Sequence, residues 1–215
     1  MIDPREAGQN PLSHMLGEAF NGLLRQLMVG MPGRVVAFDP ELQRAQVQCG
    51  IRRVVEGQPV TLPVISNVPV QFAGNDQWYA WHEITPGTEG YIHFSQRAVD
   101  TWLSQGGPAT PADFRMFAAE DAFFAPGYRS NPGSIPGFVN EGCGLSDYGG
   151  TTRIHLTAGA IVIKAGGSTI TVDGSGVAIN GESLTHNGTN VGDTHSHPQG
   201  DDSAGDSQQD TGGPK

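Results

Sequence analysis

The sequence predicts an all-β protein with a short N-terminal α-helix: a small barrel, then a repetitive β-structured segment. Three observations predict it. Gly and Pro, 31 and 15 of 215 residues, make up about a fifth of the chain against roughly 12% in an average protein, which argues against a helical bundle. Between Met31 and Arg129 the apolar residues fall in short runs separated by turn chemistry. From Thr151 to Val191 they return at one fixed spacing, among fillers that are mostly Gly, Thr, Ser and Asn. With 37% hydrophobic and 16% charged residues, short elements around a thin core are expected.

Residues 1–30 read as a helical segment. From Ser13 to Val29, the residues Leu16, Phe20, Leu23 and Leu27 fall at offsets 0, 4, 7 and 11, a stripe opened by Ser13 as cap and closed before Pro32. A membrane-surface helix needs a row of cations and Arg25 is the sole one here, so the stripe is expected to pack on this chain or on a sister copy. Residues 31–129 read as a barrel. Gly33–Phe38 and Arg44–Cys49 flank the turn Asp39-Pro40-Glu41 as a hairpin, and further strand-like runs are Val60–Val64, Val68–Phe72, Trp78–Ile84 and Gly90–Phe94. About five strands with one short helix, Arg97–Leu103, suit a small closed barrel of the OB type. Residues 130–150, rich in Gly, Pro, Ser and Asn, read as a connector.

Residues 151–192 form an internal repeat. Leu156, Ile163, Ile170, Val177, Leu184 and Val191 recur every seven residues, and Ile154, Ile161, Val172 and Ile179 sit two positions from a member of that series. A coiled coil needs its second apolar position three or four residues along, with helix-forming fillers. Partners two residues away, β-branched side chains and glycines at 159, 166, 167, 174, 176, 181, 188 and 192 instead point to strands of about four residues joined by tight turns. Proline is absent from Gly137 through His197, as continuous strand pairing requires.

One such ribbon has an apolar face and nothing opposite it. A further copy of itself is the simplest cover, and three ribbons, each one wall of a triangular prism, would bring every inward side chain to a common axis. The prediction is therefore an intertwined trimeric β-helix. The burial argument favours self-association without selecting three copies over two, and a single-chain solenoid is the alternative.

Residues 193–198 follow as an apex containing His195-Ser196-His197, and residues 199–215 as an acidic tail with four Asp. On an extended strand, residues i and i+2 share a face, so both imidazoles can turn toward an axis. Three copies would supply six nitrogens in octahedral directions, which suits a first-row transition metal such as iron, whereas zinc prefers four ligands. Such a closed shell leaves no place for substrate, so a metal on His195 and His197 would be structural. The plain alternative is a solvated turn. His186 shares a face with Leu184 and reads as a packed or solvent-facing polar residue; His14, His82, His93 and His155 have no companion at ligand spacing. Cys49 and Cys143 read as free thiols.

Charge and composition narrow the function. Twelve Lys and Arg against 22 Asp and Glu give a formal charge of −10, which works against a phosphate-backbone partner, so no nucleic acid is expected. The first residues lack a signal-peptide pattern and no run reaches a membrane span, so synthesis in the cytoplasm is expected.

The order of barrel, Gly/Ser/Thr-rich repeat and terminal Thr194-His195-Ser196-His197 resembles the central spike proteins of contractile phage tails, the baseplate assembly protein V class. The barrel is similar to the N-terminal domain of the membrane-piercing spike subgroup in LPVISNVPVQF (Leu62–Phe72), TPGTEGYIHFSQRAVDTW (Thr85–Trp102) and DAFFAPG (Asp121–Gly127). The likeness covers about residues 30–198, and its specificity lies in the combination. It implies a homotrimer at the tail baseplate tip of a virion, an OB-fold domain toward a baseplate hub protein, and an apex where one iron ion per trimer takes six histidines, here His195 and His197 of each chain. It also implies a mechanical role, piercing the host outer membrane. The tail Gln199–Lys215 departs from the pattern, since it extends past the apex.

Two competitors remain. A β-helical polysaccharide-processing enzyme would need two carboxylates at glycosidase separation, and Glu18, Glu83, Glu120 and Glu182 show no motif that provides it, so no enzyme is expected. An OB-type carbohydrate-binding module would use Trp78, Tyr79 and Trp81 for stacking; the two tryptophans read instead as core or subunit contacts.

Overall fold

The computed structural model describes residues 11–201, 203–205 and 209–212. Its regular structure is β apart from two helices and two short 3-10 turns among the described residues, and it divides into two compact units, Met1–Ser134 and Ile135–Lys215.

In the first unit, helix α1 spans Pro11–Leu24 and buries none of its side chains. Ser13 lies inside it rather than capping it, and it ends before the apolar stripe does, because Arg25 and Gln26 close the last turn and Gly30 already begins β1 (Gly30–Asp39). Pro32 therefore lies inside a strand. It has a ladder partner in Tyr91 on one side, while pairing with the next strand starts only at Gly33, so the missing N–H falls at an edge. Strands β1 and β2 (Arg44–Cys49) make the expected hairpin, with Asp39 Oδ1 accepting the Glu41 and Leu42 N–H groups in its turn. The register slips between Val35 and Ala37, a bulge that leaves Val36 facing out and bends the sheet.

The hairpin extends into a five-stranded antiparallel sheet. With β5 (Ile65–Pro69), β6 (Glu89–Phe94) and β7 (Ala122–Pro126) the order is β5-β2-β1-β6-β7. Its edges meet where Val70 bridges Phe124 in parallel and the Gln71 N–H donates to the Phe124 carbonyl at 2.9 Å, giving a partly closed barrel. The core is Val35, Val47, Val68, Ile92 and Phe124, all buried, sealed by Ala45, Cys49, Ile65, Ile84, Phe94 and Ala122. Beyond β2, β3 (Arg53–Val55) and β4 (Gln58–Val60) form a separate hairpin on Glu56 and Gly57, both in the left-handed region (φ 51° and 78°), as a two-residue turn requires. Helix α2 (Asp100–Gln105) stands between β6 and β7.

Three runs differ from expectation. Trp78–Ile84 is a loop, not a strand: Asn75 folds it by accepting the Gln77 and Trp78 N–H groups, and only Gly74 and Tyr79 bridge. Val60–Val64 contributes to pairing only at its first residue. Conversely β7, unread because Pro126 and Gly127 follow a four-residue run, places Phe124 at the centre of the core.

The second unit is an antiparallel meander. Strands β8 (Cys143–Ser146), β9 (Thr152–Leu156), β10 (Ala160–Ala165), β11 (Ser168–Asp173) and β12 (Gly176–Asn180) follow one another in the sheet. The first of them lies within the stretch read as connector. Turns are fixed locally: Asp147 accepts from Thr151 Oγ1 and the Thr152 N–H, and Asp173 from the Ser175 N–H and Oγ. These hydrogen bonds hold both exposed carboxyls below the usual range, the Thr151 and Ser175 hydroxyls being the largest cause. A two-stranded hairpin, β13 (Thr185–His186) and β14 (Thr189–Asn190), comes last.

Register explains the seven-residue series. Leu145, Ile154, Ile163, Ile170 and Ile179 pair in succession across five strands, and Cys143, Leu156, Ile161, Val172 and Val177 form a second row. Ile154 to Ile170, Leu156 to Val172, Ile161 to Val177 and Ile163 to Ile179 are each 16 residues apart, so the structural period is one hairpin of 16 residues. The steps of seven fall partly within a row, as from Ile163 to Ile170, and partly across rows, as from Leu156 to Ile163 and from Ile170 to Val177.

Candidate metal centre and association face

Both apolar rows stand on one face of the β8–β12 sheet, because residues two apart on a strand point the same way. No residue in either row is buried; the aliphatic ones range from 39% to 73% exposed. Leu184 and Val191 continue the pattern, joined by the Val191 N–H donating to the Leu184 carbonyl at 2.9 Å. A contiguous aliphatic patch of this kind marks an interaction surface.

Past Val191 the chain is pinned by short polar contacts. Asn190 Oδ1 accepts the Gly192 N–H at 2.9 Å, and Asn190 Nδ2 donates to Thr194 Oγ1 at 2.7 Å. His195 and His197 are brought together, with ring centroids 5.2 Å apart and planes at 90°. His195 Nδ1 lies on the Gly192 carbonyl oxygen. A proton on Nδ1 donated there leaves Nε2 with its lone pair outward, the usual way in which a backbone carbonyl orients a ligating histidine. His197 is exposed and its backbone is clamped by the tail: its N–H donates to Thr211 Oγ1 at 2.8 Å and its carbonyl accepts the Thr211 N–H at 3.0 Å. Thr211 thus lies against His197.

Among the described residues, no three His, Cys, Asp or Glu of one chain converge as a metal site. Two adjacent imidazoles, one with Nδ1 against a backbone carbonyl, fit a metal shared between copies. His186 lies in β13, exposed, and takes no part.

Of the two readings of Trp78 and Trp81, core or subunit contacts, the structure overturns the core one. Trp78, Tyr79 and Trp81 are not core: they are 78%, 68% and 75% exposed on their loop, with Tyr79 and Trp81 rings 5.7 Å apart. Glu18, Glu83, Glu120 and Glu182 fall on α1, the loop before β6, the 3-10 turn before β7 and the bend after β12. Cys49 is buried and Cys143 exposed, and both are free; burial pushes the Cys49 thiol up.

Sequence reasoning missed one charged cluster. Asp121, fully buried, accepts Arg115 Nη2 and Nε at 2.8 Å each and the Val99 N–H at 2.9 Å. Arg115 also meets Asp113 and Asp100, so one guanidinium gathers the segment between β6 and β7. Burial pushes the Asp121 carboxyl up, but Arg115 and the Val99 N–H outweigh it and hold it below the usual range; Arg115 is raised, chiefly by Asp121 and then by Asp100.

Residues 31–127, a little under half of the chain, match the family model described as phage protein Gp138 N-terminal domain. The match covers the barrel and indicates a phage protein. No curated protein matches the chain.

Proposed function

We propose that this chain is the structural central spike of a contractile phage tail baseplate, a homotrimer that pierces the host outer membrane mechanically. The observation that carries the reading is the pair of aliphatic rows left uncovered across five strands. Three copies would turn these rows inward as the walls of a triangular prism, leaving Thr, Ser and Asn outside. The match of residues 31–127 to a phage protein domain and the resemblance of the whole layout to baseplate spikes support the same reading. In it the barrel is an OB-fold domain that meets the baseplate hub, and the chain is a virion component rather than an enzyme.

His195 and His197 of three chains would hold one iron ion, with His195 presented through Nε2. When bound, the ion supplies coordination bonds that tie three strand ends where no further rung covers them. Substituting His195→Ala and His197→Ala together is expected to reduce bound iron from one per three chains to none by elemental analysis, while the barrel melts as before. Stoichiometric iron in that variant would refute the ligand assignment.

The exposed Trp78, Tyr79 and Trp81 favour a second reading, carbohydrate binding by the barrel, since sugars and aromatic faces stack. Glycan-array binding by the full chain that disappears in Trp78→Ala, Trp81→Ala would support it; an empty array leaves the spike reading alone.

A further inference from the structure

Beside β1 and β2 the barrel carries a groove of about 720 Å³ lined by Arg34, Gln48, Arg52, Glu89, Tyr128 and Arg129 among others. We infer that it is a binding site for an acidic peptide segment of a partner protein, whose carboxylates pair with Arg34 and Arg52. The inference stands independently of the metal and of the number of copies.

Charge carries the argument. Residues 31–130 hold 7 Arg and no Lys against 10 Asp and Glu, a net −3. Arg34, Arg52 and Arg129 with Glu89 give the groove +2, so the rest of this segment is −5. Positive charge is thus gathered in one concave place on an acidic chain. Arg115 shows what a structural arginine looks like here, with three carboxylates around it; among the described residues Arg34 and Arg52 have no ion pair.

The groove is also built. Both Glu89 carboxylate oxygens take Ser130 Oγ, at 2.8 and 3.0 Å, and Oε2 takes the Ser130 N–H at 2.8 Å, which fastens the 128–130 wall to β6. These contacts, the Ser130 N–H first, keep the Glu89 carboxyl below its usual range, so its own charge stays engaged with the wall. Gln48 Nε2 donates to the Leu62 carbonyl at 2.7 Å, and the exposed Tyr128 ring rests on Tyr91 at 5.5 Å. Guanidinium forks match carboxylates in pairs, and Tyr128 offers an apolar side chain a surface. A nucleic acid strand, with one phosphate per roughly 3.4 Å, would run past these arginines along a chain whose formal charge is −10. A peptide with two or three acidic residues ends where the positive charge ends.

The test is fluorescence anisotropy of labelled hexaglutamate with the full chain at low salt. Binding is expected, weakened at least tenfold by Arg34→Glu with Arg52→Glu, and changed less than twofold by the charge-matched pair Arg44→Glu with Arg97→Glu. Arg34→Lys with Arg52→Lys, which keeps charge and fold but loses the fork, is expected to fall between. Absence of binding, equal loss in both Glu pairs, or tighter binding of hexathymidylate than hexaglutamate overturns the proposal.

Discussion

Sedimentation of the double variant Ile163→Asp, Ile170→Asp is expected to give single chains of 22.7 kDa, where the unsubstituted protein gives three times that mass. The two residues are direct partners across β10 and β11, at the middle of the longer aliphatic row. Each isoleucine buried between copies contributes about 1.5–3 kcal/mol, and a carboxylate in its place costs several more because it leaves water without a partner. Three copies multiply both effects. Both side chains are about two-fifths exposed in the single sheet, so its own strand pairing is expected to lose little. The conservative pair Ile163→Val, Ile170→Val is expected to keep the association. If the unsubstituted chain sediments at 22.7 kDa, or if the Asp variant keeps the threefold mass, the packing of copies through this face is wrong.

The second large effect lies in the barrel. Replacing Asp121 by Ala removes the acceptor of the Val99 N–H and two of the charged hydrogen bonds of Arg115, at a buried position. The expected cost is about 2–4 kcal/mol, which lowers the melting temperature by about 10 °C or more for a unit of this size. Calorimetry of the full chain would resolve it as a shift of one transition. The same carboxyl sets an acid limit. Its folded value is depressed, so its contribution is complete above the ordinary carboxylate value of about 3.9 and is lost as pH falls through the lower folded value. Asp121→Ala should therefore flatten the fall in stability below about pH 4; a variant that melts like the parent at neutral pH would remove the cluster's structural role.

Local pattern made much of this legible. The β1–β2 hairpin, β6 and strands β9–β12 are legible because alternating side chains and turn residues agree there, and His195 and His197 stand out because two imidazoles at strand spacing end a repeat. What escaped reading depended on distant partners. β7 is a short run ending in Pro126, and only its place beside β6 makes Phe124 the centre of the core. Trp78 and Trp81 alternate like a strand, yet Asn75 turns the backbone under them and leaves both in solvent. Arg115 and Asp121 are six residues apart with no periodic signature; their pairing exists because Ser95 and Phe117 are drawn together by a backbone hydrogen bond and the loop between them closes on itself. The spacing of His195 and His197 predicts a ligand pair, but the contact between Thr211 and His197 spans 14 residues and has no local signal.

The hairpin period of the β8–β12 sheet makes its length modular. Inserting or deleting 16 residues between Leu156 and Val177 keeps every aliphatic side chain on its own face, whereas an odd number would invert all strands that follow. Each whole unit adds two strand spacings, about 10 Å. Related proteins of different reach, whether arisen by duplication or built by design, should therefore differ by steps of this size.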